Sequence, residues 1–277
     1  MSFDRPMSAL APALASALAA TTGDHRHADV DLGLLERWLT GWSLARGLPV
    51  PRHQDGGLVV EVGLPDQLRR HVFADAGPAL QACAARIDVP LVFIKAAVDA
   101  ATLRRALPPR WIVEAPRFLM RCVGPMRAAP LPAPYTIAHS RRHGAAVVRI
   151  IDANGAVAAS GQLVVHGATA IFDQIETAPA HQRRGLGMAL MAALDMLARQ
   201  AGIKERLLVA TDAGRQLYLR LGWQVLAEYS TAALAHTPFG VLTDKALQWQ
   251  HGAANGSMPL NPYSTIHPTT TPNKETP

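Results

Sequence analysis

The sequence predicts an α+β fold, in which a mostly antiparallel, twisted sheet with flanking helices follows an α/β half. First, four β-patterned segments after residue 134 are joined by turns too short to hold a helix, which predicts antiparallel neighbours. Second, the apolar period then changes to that of a helix. Third, 49% of the 277 residues are hydrophobic, which is enough to bury one large core or two modest ones.

Basic residues outnumber acidic ones, with 27 Lys and Arg against 21 Asp and Glu and a net charge of +6. The positive charge is spread from Arg5 to Arg220 rather than concentrated in one segment. That distribution suits anionic small ligands about as well as nucleic acid. Because no basic motif is interleaved with aromatic residues, we do not expect nucleic acid as the partner.

Cysteine usage and hydropathy predict a protein of the cytoplasm. Cys83 and Cys122 are the only cysteines, which fits a reducing compartment and provides no cysteine-rich zinc site. The close pair His25 and His27 is too small a set to predict a metal. Residues 7–20 are alanine-rich and contain a proline, unlike an export signal, and no apolar run is long enough to span a bilayer.

The N-terminal half begins with a segment, 1–28, that we expect to be flexible, followed by an α/β domain over 29–123. Leu35, Trp38, Leu39 and Trp42 recur at helical spacing within 31–47 and predict an amphipathic helix there. Shorter patterns predict the remaining elements. These are strands at 58–62, 71–73, 89–97 and 117–123 and helices at 77–85 and 99–107.

A Pro- and Gly-rich stretch, 124–134, lacks apolar periodicity and is the predicted linker to a second domain, 135–247. Four strands are predicted at 135–140, 145–151, 156–165 and 168–177. A helix follows, in which Leu186, Leu190, Leu194 and Leu197 share a face, ending near Gly202. A strand at 206–211, a helix at 212–221 and a strand from Trp223 complete the domain. The polar tail, 248–277, is predicted to be disordered.

The segment 171–187 combines a strand, a proline-marked turn and a glycine loop that opens directly into a helix. The first amides of a helix have no partner within it, and the helix dipole favours negative charge there. Gly185 and Gly187 allow a phosphate to approach, and Arg183 and Arg184 can add charge-assisted contacts. A glycine turn that serves packing alone, with its arginines in water, is the alternative.

This segment resembles the coenzyme A-binding motif of the GNAT superfamily of N-acetyltransferases. The motif is Gln or Arg, two variable residues, Gly, one variable residue, then Gly or Ala, which here runs from Gln182 to Gly187. Thr177 and Pro179 fall where the family has a small or β-branched residue and a proline. A second signature, Leu217–Trp223 (LYLRLGW), follows in the family's order.

The resemblance implies the GNAT fold, in which the fourth and fifth strands splay apart and open a notch for the pantetheine arm. It also implies an activity, the transfer of an acetyl group from acetyl-CoA as cosubstrate to a primary amine of a small molecule or protein, by direct attack in a ternary complex. No metal is expected, and a homodimer remains open. The residues implied to bind the cofactor are Ile175, Thr177, Gln182, Arg183, Arg184, Gly185, Leu186, Gly187 and Thr211.

Three residues are candidates for the chemistry. Tyr218 matches the tyrosine that protonates the leaving thiolate in many family members; a packed tyrosine is the alternative. Strand alternation places Asp173 on the face of Ile175 and Thr177 and makes it the first candidate for the base. Glu176, on the opposite face by the same count, ranks second. Either carboxylate could instead be paired with an arginine.

The sequence also departs from the family. Residues 141–144 leave no room for the two helices that wall the acceptor pocket, so the N-terminal half must supply that wall. Thr211 and Gly214 replace an asparagine and an alanine, and Asp212 is the expected cap of the last helix. A non-catalytic acyl-CoA sensor or interaction module is therefore the alternative function.

The N-terminal half is either an unrelated accessory domain or a degenerate copy of the same fold. Residues 89–111 parallel 206–223 in their order of strand, helix and Trp. With the two tryptophans aligned, Ala106 falls at the position of Tyr218, and no glycine loop precedes it. A repeat of this kind should not be catalytic.

Overall fold

The computed structural model describes residues 30–127 and 129–234. The expectations for 1–28 and 248–277, and for His25 and His27, lie outside these residues. From residue 30 onward, the described N-terminal half contains three helices and six strands. They are α1 (Leu32–Leu44), β1 (Arg52–Gln54), β2 (Gly57–Leu64), β3 (Gln67–Phe73), α2 (Pro78–Arg86), β4 (Val92–Ala96), α3 (Ala100–Ala106), β5 (Trp111–Val113) and β6 (Arg117–Cys122).

The C-terminal half begins with an antiparallel meander and then alternates helices and strands. Its elements are β7 (Thr136–Arg142), β8 (Ala145–Ile151), β9 (Val157–His166), β10 (Thr169–Thr177), a 3-10 turn (Pro179–His181), α4 (Leu186–Gln200), β11 (Glu205–Ala210), α5 (Asp212–Arg220) and β12 (Gln224–Leu234). The predicted helices and strands are present, within a few residues of their predicted ends. The strands missing from the prediction are β1 and β5, which are three residues long and too short to show a period.

The twelve strands within residues 30–127 and 129–234 belong to one sheet, in the order β1-β2-β3-β4-β12-β6-β11-β10-β9-β8-β7, with β5 pairing β12 outside this path. The meander in each half is antiparallel, and each is followed by one parallel pair, β3 with β4 and β10 with β11. The mostly antiparallel α+β class predicted from the sequence is therefore confirmed.

The last strand of each half pairs with the other half. Strand β6 lies between β11 and β12, and β12 lies between β4 and β6. The strand register is also repeated between the halves. Leu119 and Thr231 occupy equivalent positions, because each is the eighth residue after a buried tryptophan, Trp111 or Trp223. Leu119 pairs with Val209, and Thr231 pairs with Lys95. Two residues before Val209 and Lys95, Leu207 pairs with Ile171 and Phe93 pairs with Arg70.

The helices divide between the two faces of the sheet. Adjacent residues of β6 pack in different hydrophobic cores. Leu119 packs in the core beneath α1, whereas Phe118 and Met120 pack in the core beneath α4 and α5. The same division holds in β3, where Val72 joins the α1 cluster and Phe73 joins that of α2 and α3. Helix α1 thus covers one face, here called the α1 face, and the other four helices cover the opposite face.

Helix α1 lies against strands of the C-terminal half. Asp31 caps it by accepting from the amide of Leu34 at 2.7 Å, which satisfies one of the free donors of the first turn. The helix then packs across β9 and β10. A Cβ on Gly41 would lie 2.6 Å from the side chain of Ile171, so glycine lets the helix approach β10 this closely.

Candidate active site

The strands β10 and β11 separate within the C-terminal half. Their parallel pairing begins with Thr169 opposite Glu205 and ends with Ile171 opposite Leu207. Strand β10 nevertheless continues to Thr177. A bulge lies between Asp173 and Glu176, where Gln174 has a φ of 51°. A bulge bends its strand, and the result is a notch between β10 and β11.

The loop after β10 leads directly into α4, whose first backbone amides have no partner among the described residues. Gly185 is the N-cap of α4, in the left-handed region at φ 79°, and no side chain caps the helix. Within 30–127 and 129–234, the first amides of α4 that donate to a backbone carbonyl are those of Met188 and Ala189, and both donate to the carbonyl of Gly185. The amides of Leu186 and Gly187 therefore point outward as donors. Such a helix start favours an anion.

Tight packing around Gly187 brings three elements together at the notch. A Cβ there would lie 3.0 Å from Cδ2 of Leu217 on α5 and 3.9 Å from Oγ1 of Thr177 on β10. The Gln182 side chain fixes the preceding turn, because its amide nitrogen donates to the carbonyl of Thr177 at 3.3 Å. The glycine motif thus serves both packing and an open helix start.

A chain of polar side chains, which the sequence analysis missed, supports the loop. The hydroxyl of Tyr135 lies 2.9 Å from Nδ1 of His181, and Nε2 of His181 lies 3.5 Å from Oδ2 of Asp152. Arg184 donates to the same hydroxyl at 3.2 Å, while Arg183 is exposed. The chain joins residues from three segments far apart in sequence, so no local motif could reveal it.

Comparison with known proteins identifies the family of the part of the chain that forms this site. Residues 143–225 match the family model described as "Acetyltransferase (GNAT) domain". This part of the chain is a GNAT domain. The match covers the meander from the start of β8, the glycine loop, both signature motifs and the beginning of β12. No curated protein sequence matches the chain at a significant level.

Solved structures agree on the fold. A GCN5-related N-acetyltransferase from Kribbella flavida matches with a TM-score of 0.53 and 16% identity, over 73% of this chain and 94% of its own. A putative GNAT-family acetyltransferase from Novosphingobium aromaticivorans matches with a TM-score of 0.50 and 15% identity, over 74% and 99%. Both matches extend beyond residues 143–225, so the fold similarity also includes part of the N-terminal half.

In the GNAT domain, Tyr218 lies on α5 and is 6% exposed. Its ring packs 6.0 Å from that of Trp223, centroid to centroid. Burial raises the pKa of the Tyr218 hydroxyl above its ordinary value of 10, and the charge of Asp173 raises it further. At neutral pH the hydroxyl is therefore protonated, as a proton donor must be.

The face predicted for Asp173 is wrong. Asp173 pairs with Gln162 and Glu176 pairs with Ser160, and these two partners lie two residues apart on β9, so they share a face. Gln162 donates to Asp173 at 3.2 Å on the α1 face. The bulge inserts an extra residue into β10, so Asp173 and Glu176 lie together on the α1 face.

Ile175 lies on the opposite face from the two carboxylates. Its side chain packs with the α4 cluster, and a Cβ on Gly161 would lie 2.6 Å from its Cδ1. Thr177 faces the same way, as its contact distance to Gly187 shows. Counting alternate residues along β10 predicted the wrong faces, because the sequence shows no sign of the bulge.

Asp173 has defined partners. Arg46, just after the end of α1, donates Nη1 to Oδ2 of Asp173 and Nη2 to Oδ1 at 3.3 Å. Both residues are less than one-fifth exposed. The pair is thus partly shielded from water, and it fixes the position of the Asp173 carboxylate.

The start of α5 also differs from expectation. Thr211, not Asp212, is the N-cap, and its hydroxyl accepts from the amide of Gly214 at 3.1 Å. Asp212 instead pairs with Arg215 at 2.8 Å. A Cβ on Gly214 would lie 3.1 Å from Cε2 of Tyr218. Glycine at 214 therefore leaves the Tyr218 ring the space that an alanine would narrow.

The equivalent position in the N-terminal half is closed. Strands β3 and β4 stay paired to Phe73 with Ala96, so no notch opens. Helix α2 begins with Pro78, which has no amide hydrogen, and the amide of Gly77 already donates to Asp75 at 2.7 Å. An internal carboxylate thus occupies this helix start.

Among the described residues, no group of three or more His, Cys, Asp or Glu side chains is arranged to hold a metal ion. No described helix has the length and apolar character needed to cross a membrane. Cys83 and Cys122 are both buried free thiols.

Proposed function

We propose that the chain is an acyl-CoA-dependent N-acyltransferase that moves an acetyl group from acetyl-CoA to a primary amine of a small molecule or protein. The observation that carries the proposal is the notch between β10 and β11, which ends at a helix start with free amides. Such amides suit a pyrophosphate, and the separated strand edge suits an amide-containing arm.

The cofactor-binding residues divide by role. The amides of Leu186 and Gly187 would receive the pyrophosphate, with Arg183 and Arg184 adding charge. The β10 edge around Ile175 and Thr177 would pair with the pantetheine arm. Gln182 shapes the turn through its bond to Thr177. Thr211 uses its hydroxyl oxygen as a cap acceptor, and its hydroxyl hydrogen remains able to donate to the cofactor.

Transfer by direct attack requires an amine that has lost its proton and a leaving thiolate that gains one. A thiolate with a reference pKa of about 8.5 leaves more easily beside a donor. Tyr218, buried and protonated at the notch, is the proposed donor. It contributes one proton per turnover and recovers it from solvent.

The two carboxylates on the α1 face are proposed to serve the amine. The ion pair with Arg46 and the hydrogen bond from Gln162 hold the Asp173 carboxylate in place, which suits it to orient a substrate ammonium. We therefore assign Glu176 as the base and Asp173 as the group that orients the ammonium. This reverses the ranking from the sequence, and it remains a proposal.

We also propose that the N-terminal half is a degenerate, non-catalytic copy of the same fold. The repeated register supports this, as does the equivalence of Trp111 and Trp223. Ala106 at the position of Tyr218, together with the closed helix start at Gly77, excludes the corresponding chemistry there. On this reading, the domains are 29–123 and 135–247.

The decisive experiment is an assay of free thiol released from acetyl-CoA in the presence of amines, amino acids, polyamines and peptides. Amine-dependent release with acetylated product supports the enzyme. Coenzyme A binding without transfer to any amine would favour the non-catalytic sensor. Absence of coenzyme A binding would remove both.

A further inference from the structure

A group of cationic side chains lies on the α1 face, beside the two carboxylates of the proposed site. Arg70 on β3, Lys95 on β4 and Arg117 on β6 form this group, here called the cationic cluster. All three point to the α1 face. Lys95 pairs with Val72 of the α1 core, and Arg117 pairs with Tyr229 of the same core. Arg70 lies over the ring of Trp42 on α1, 3.8 Å from the centroid.

These three side chains form no ion pair within the described part of the chain. The nearby Asp173 is already paired with Arg46. Burial and the neighbouring Arg70 lower the pKa of Lys95 well below its usual value, and the Glu114 carboxylate opposes this shift.

Two buried polar groups of the cluster region have no hydrogen-bond partner among the residues that the structure describes. Arg70 is 8% exposed and its Nε has no hydrogen-bond acceptor, although Nη2 donates to Gln67 at 3.0 Å. Tyr229 is 1% exposed and its hydroxyl has no partner. Burial lowers the pKa of Arg70 to about 10. Buried donors without acceptors are costly, and an anion with several acceptor oxygens would satisfy them.

The cluster lies on the acceptor side of the notch. The carboxylates Asp173 and Glu176 and the cluster share the α1 face, whereas α4 and its free amides lie on the other. Arg117 is on β6, which is separated from β10 in the sheet by β11. Because Arg117 is only half-buried, it is the member that a ligand can reach from solvent.

We propose that the cationic cluster binds an anionic group of the acceptor, so that the substrate class is an amine that also carries a carboxylate or phosphate. This inference rests on the proposed function. The amine would lie at Asp173 and Glu176, and the anionic group at Arg117, with Arg70, Lys95 and Tyr229 behind it. Arg70 and Lys95 act here as binding residues, not as groups that exchange protons with the substrate.

The first test compares matched acceptors at saturating acetyl-CoA. Each amino acid of a panel is supplied as its free carboxylate and as its uncharged amide, and phosphoethanolamine is compared with ethanolamine. The wild type should prefer the anionic member of at least one pair. The carboxylate and phosphate arms then show which anion the cluster takes. A wild type without preference for any anionic member overturns the inference, while transfer to amines still stands.

Substitutions locate that preference. Arg117→Gln should raise KM for the anionic acceptor about tenfold to a hundredfold, the effect expected for losing a hydrogen bond to a charged group. The preference for the anionic over the neutral acceptor should fall accordingly, and Arg117→Lys should retain part of it. Arg141→Gln, on the exposed strand β7, is the matched control. An unchanged preference in Arg117→Gln contradicts the assignment.

A binding measurement separates this inference from the enzyme itself. With saturating coenzyme A present, N-acetylglycine and N-acetylglycinamide are titrated by calorimetry into wild type, Arg117→Gln and Lys95→Met. Selective binding of the carboxylate that weakens in both variants supports the cluster even if no amine is acetylated. Equal binding of the two probes, or binding unaffected by either substitution, counts against it. Melting curves show whether Lys95→Met is folded.

Discussion

The guanidinium of Arg46 and the carboxylate of Asp173 form an ion pair between the end of α1 and the bulged part of β10. The N-terminal half thus contributes a side chain directly to the proposed acceptor site of the GNAT domain. Asp173 also accepts a hydrogen bond from Gln162, so its carboxylate is held from both β9 and the end of α1.

The roles of the carboxylates predict different losses. Glu176→Gln should lower kcat about a hundredfold or more, as expected for a general base. Asp173→Asn should act mainly by raising KM for the amine, with a smaller loss of kcat. Steady-state kinetics of both variants over a range of amine concentrations would distinguish them. The reverse pattern would restore Asp173 as the base.

Gly185 allows a matched comparison. Gly185 and Gly155 have φ values of 79° and 82°, so Val at either should cost about 1–2 kcal/mol of stability from the left-handed backbone. Only Gly185→Val should weaken coenzyme A binding, because only that turn leads into α4. Calorimetric titration of both variants measures this. Equal affinities would mean that the loop does not bind the cofactor.

Tyr218→Phe should reduce kcat about a hundredfold, at the lower end of the range for a general acid, since a thiolate is already a fair leaving group. Coenzyme A affinity should be unchanged. Because burial holds the pKa of Tyr218 above 10, the wild type should show no loss of activity from its ionisation below pH 10. Full activity in the variant would assign the hydroxyl a packing role only.

Gly214→Ala should affect catalysis more than stability. Alanine improves helix propensity by about 1 kcal/mol, but its Cβ would lie 3.1 Å from the Tyr218 ring. These effects oppose each other in the free energy of unfolding. We expect little change in the urea midpoint and a fall in kcat smaller than that of Tyr218→Phe. An unaffected kcat would show that the ring position is not critical.

His71 predicts a pH dependence of stability. Burial and the charge of Arg69 lower its pKa from 6.5 to about 4 in the folded protein. A histidine of this kind contributes stability above pH 6.5, which is lost as pH falls toward 4, because the unfolded chain binds the proton first. The contribution is at most about 3 kcal/mol, from the size of the shift. Urea unfolding of wild type and His71→Leu at pH 7.5 and 4.5 tests this; parallel pH dependences would contradict it.

Most of the fold could be predicted from the sequence because its signals are local. The glycine loop, the turn at Asn154 and Gly155, and the helical spacing of Leu186, Leu190 and Leu194 each lie within one short segment. The GNAT motifs added the expected splay between the fourth and fifth strands, and pairing between β10 and β11 ends after Ile171.

The errors arose where tertiary structure overrides the local pattern. The bulge at Gln174 reversed the faces expected for Asp173 and Glu176, and Thr211 took the cap expected of Asp212. Arg46, Tyr135 and His181 could not be recognised because each meets its partner across 46 or more residues. No periodicity reports contacts of that kind.

The placement of β6 between β11 and β12 bears on any attempt to divide this protein. A fragment ending before residue 124 would expose β6 along both edges, and a fragment beginning after residue 134 would have a gap beside β11. Neither piece can be expected to fold when expressed alone, whereas the two together can complement each other. Heating the intact chain should accordingly melt both halves in one cooperative transition.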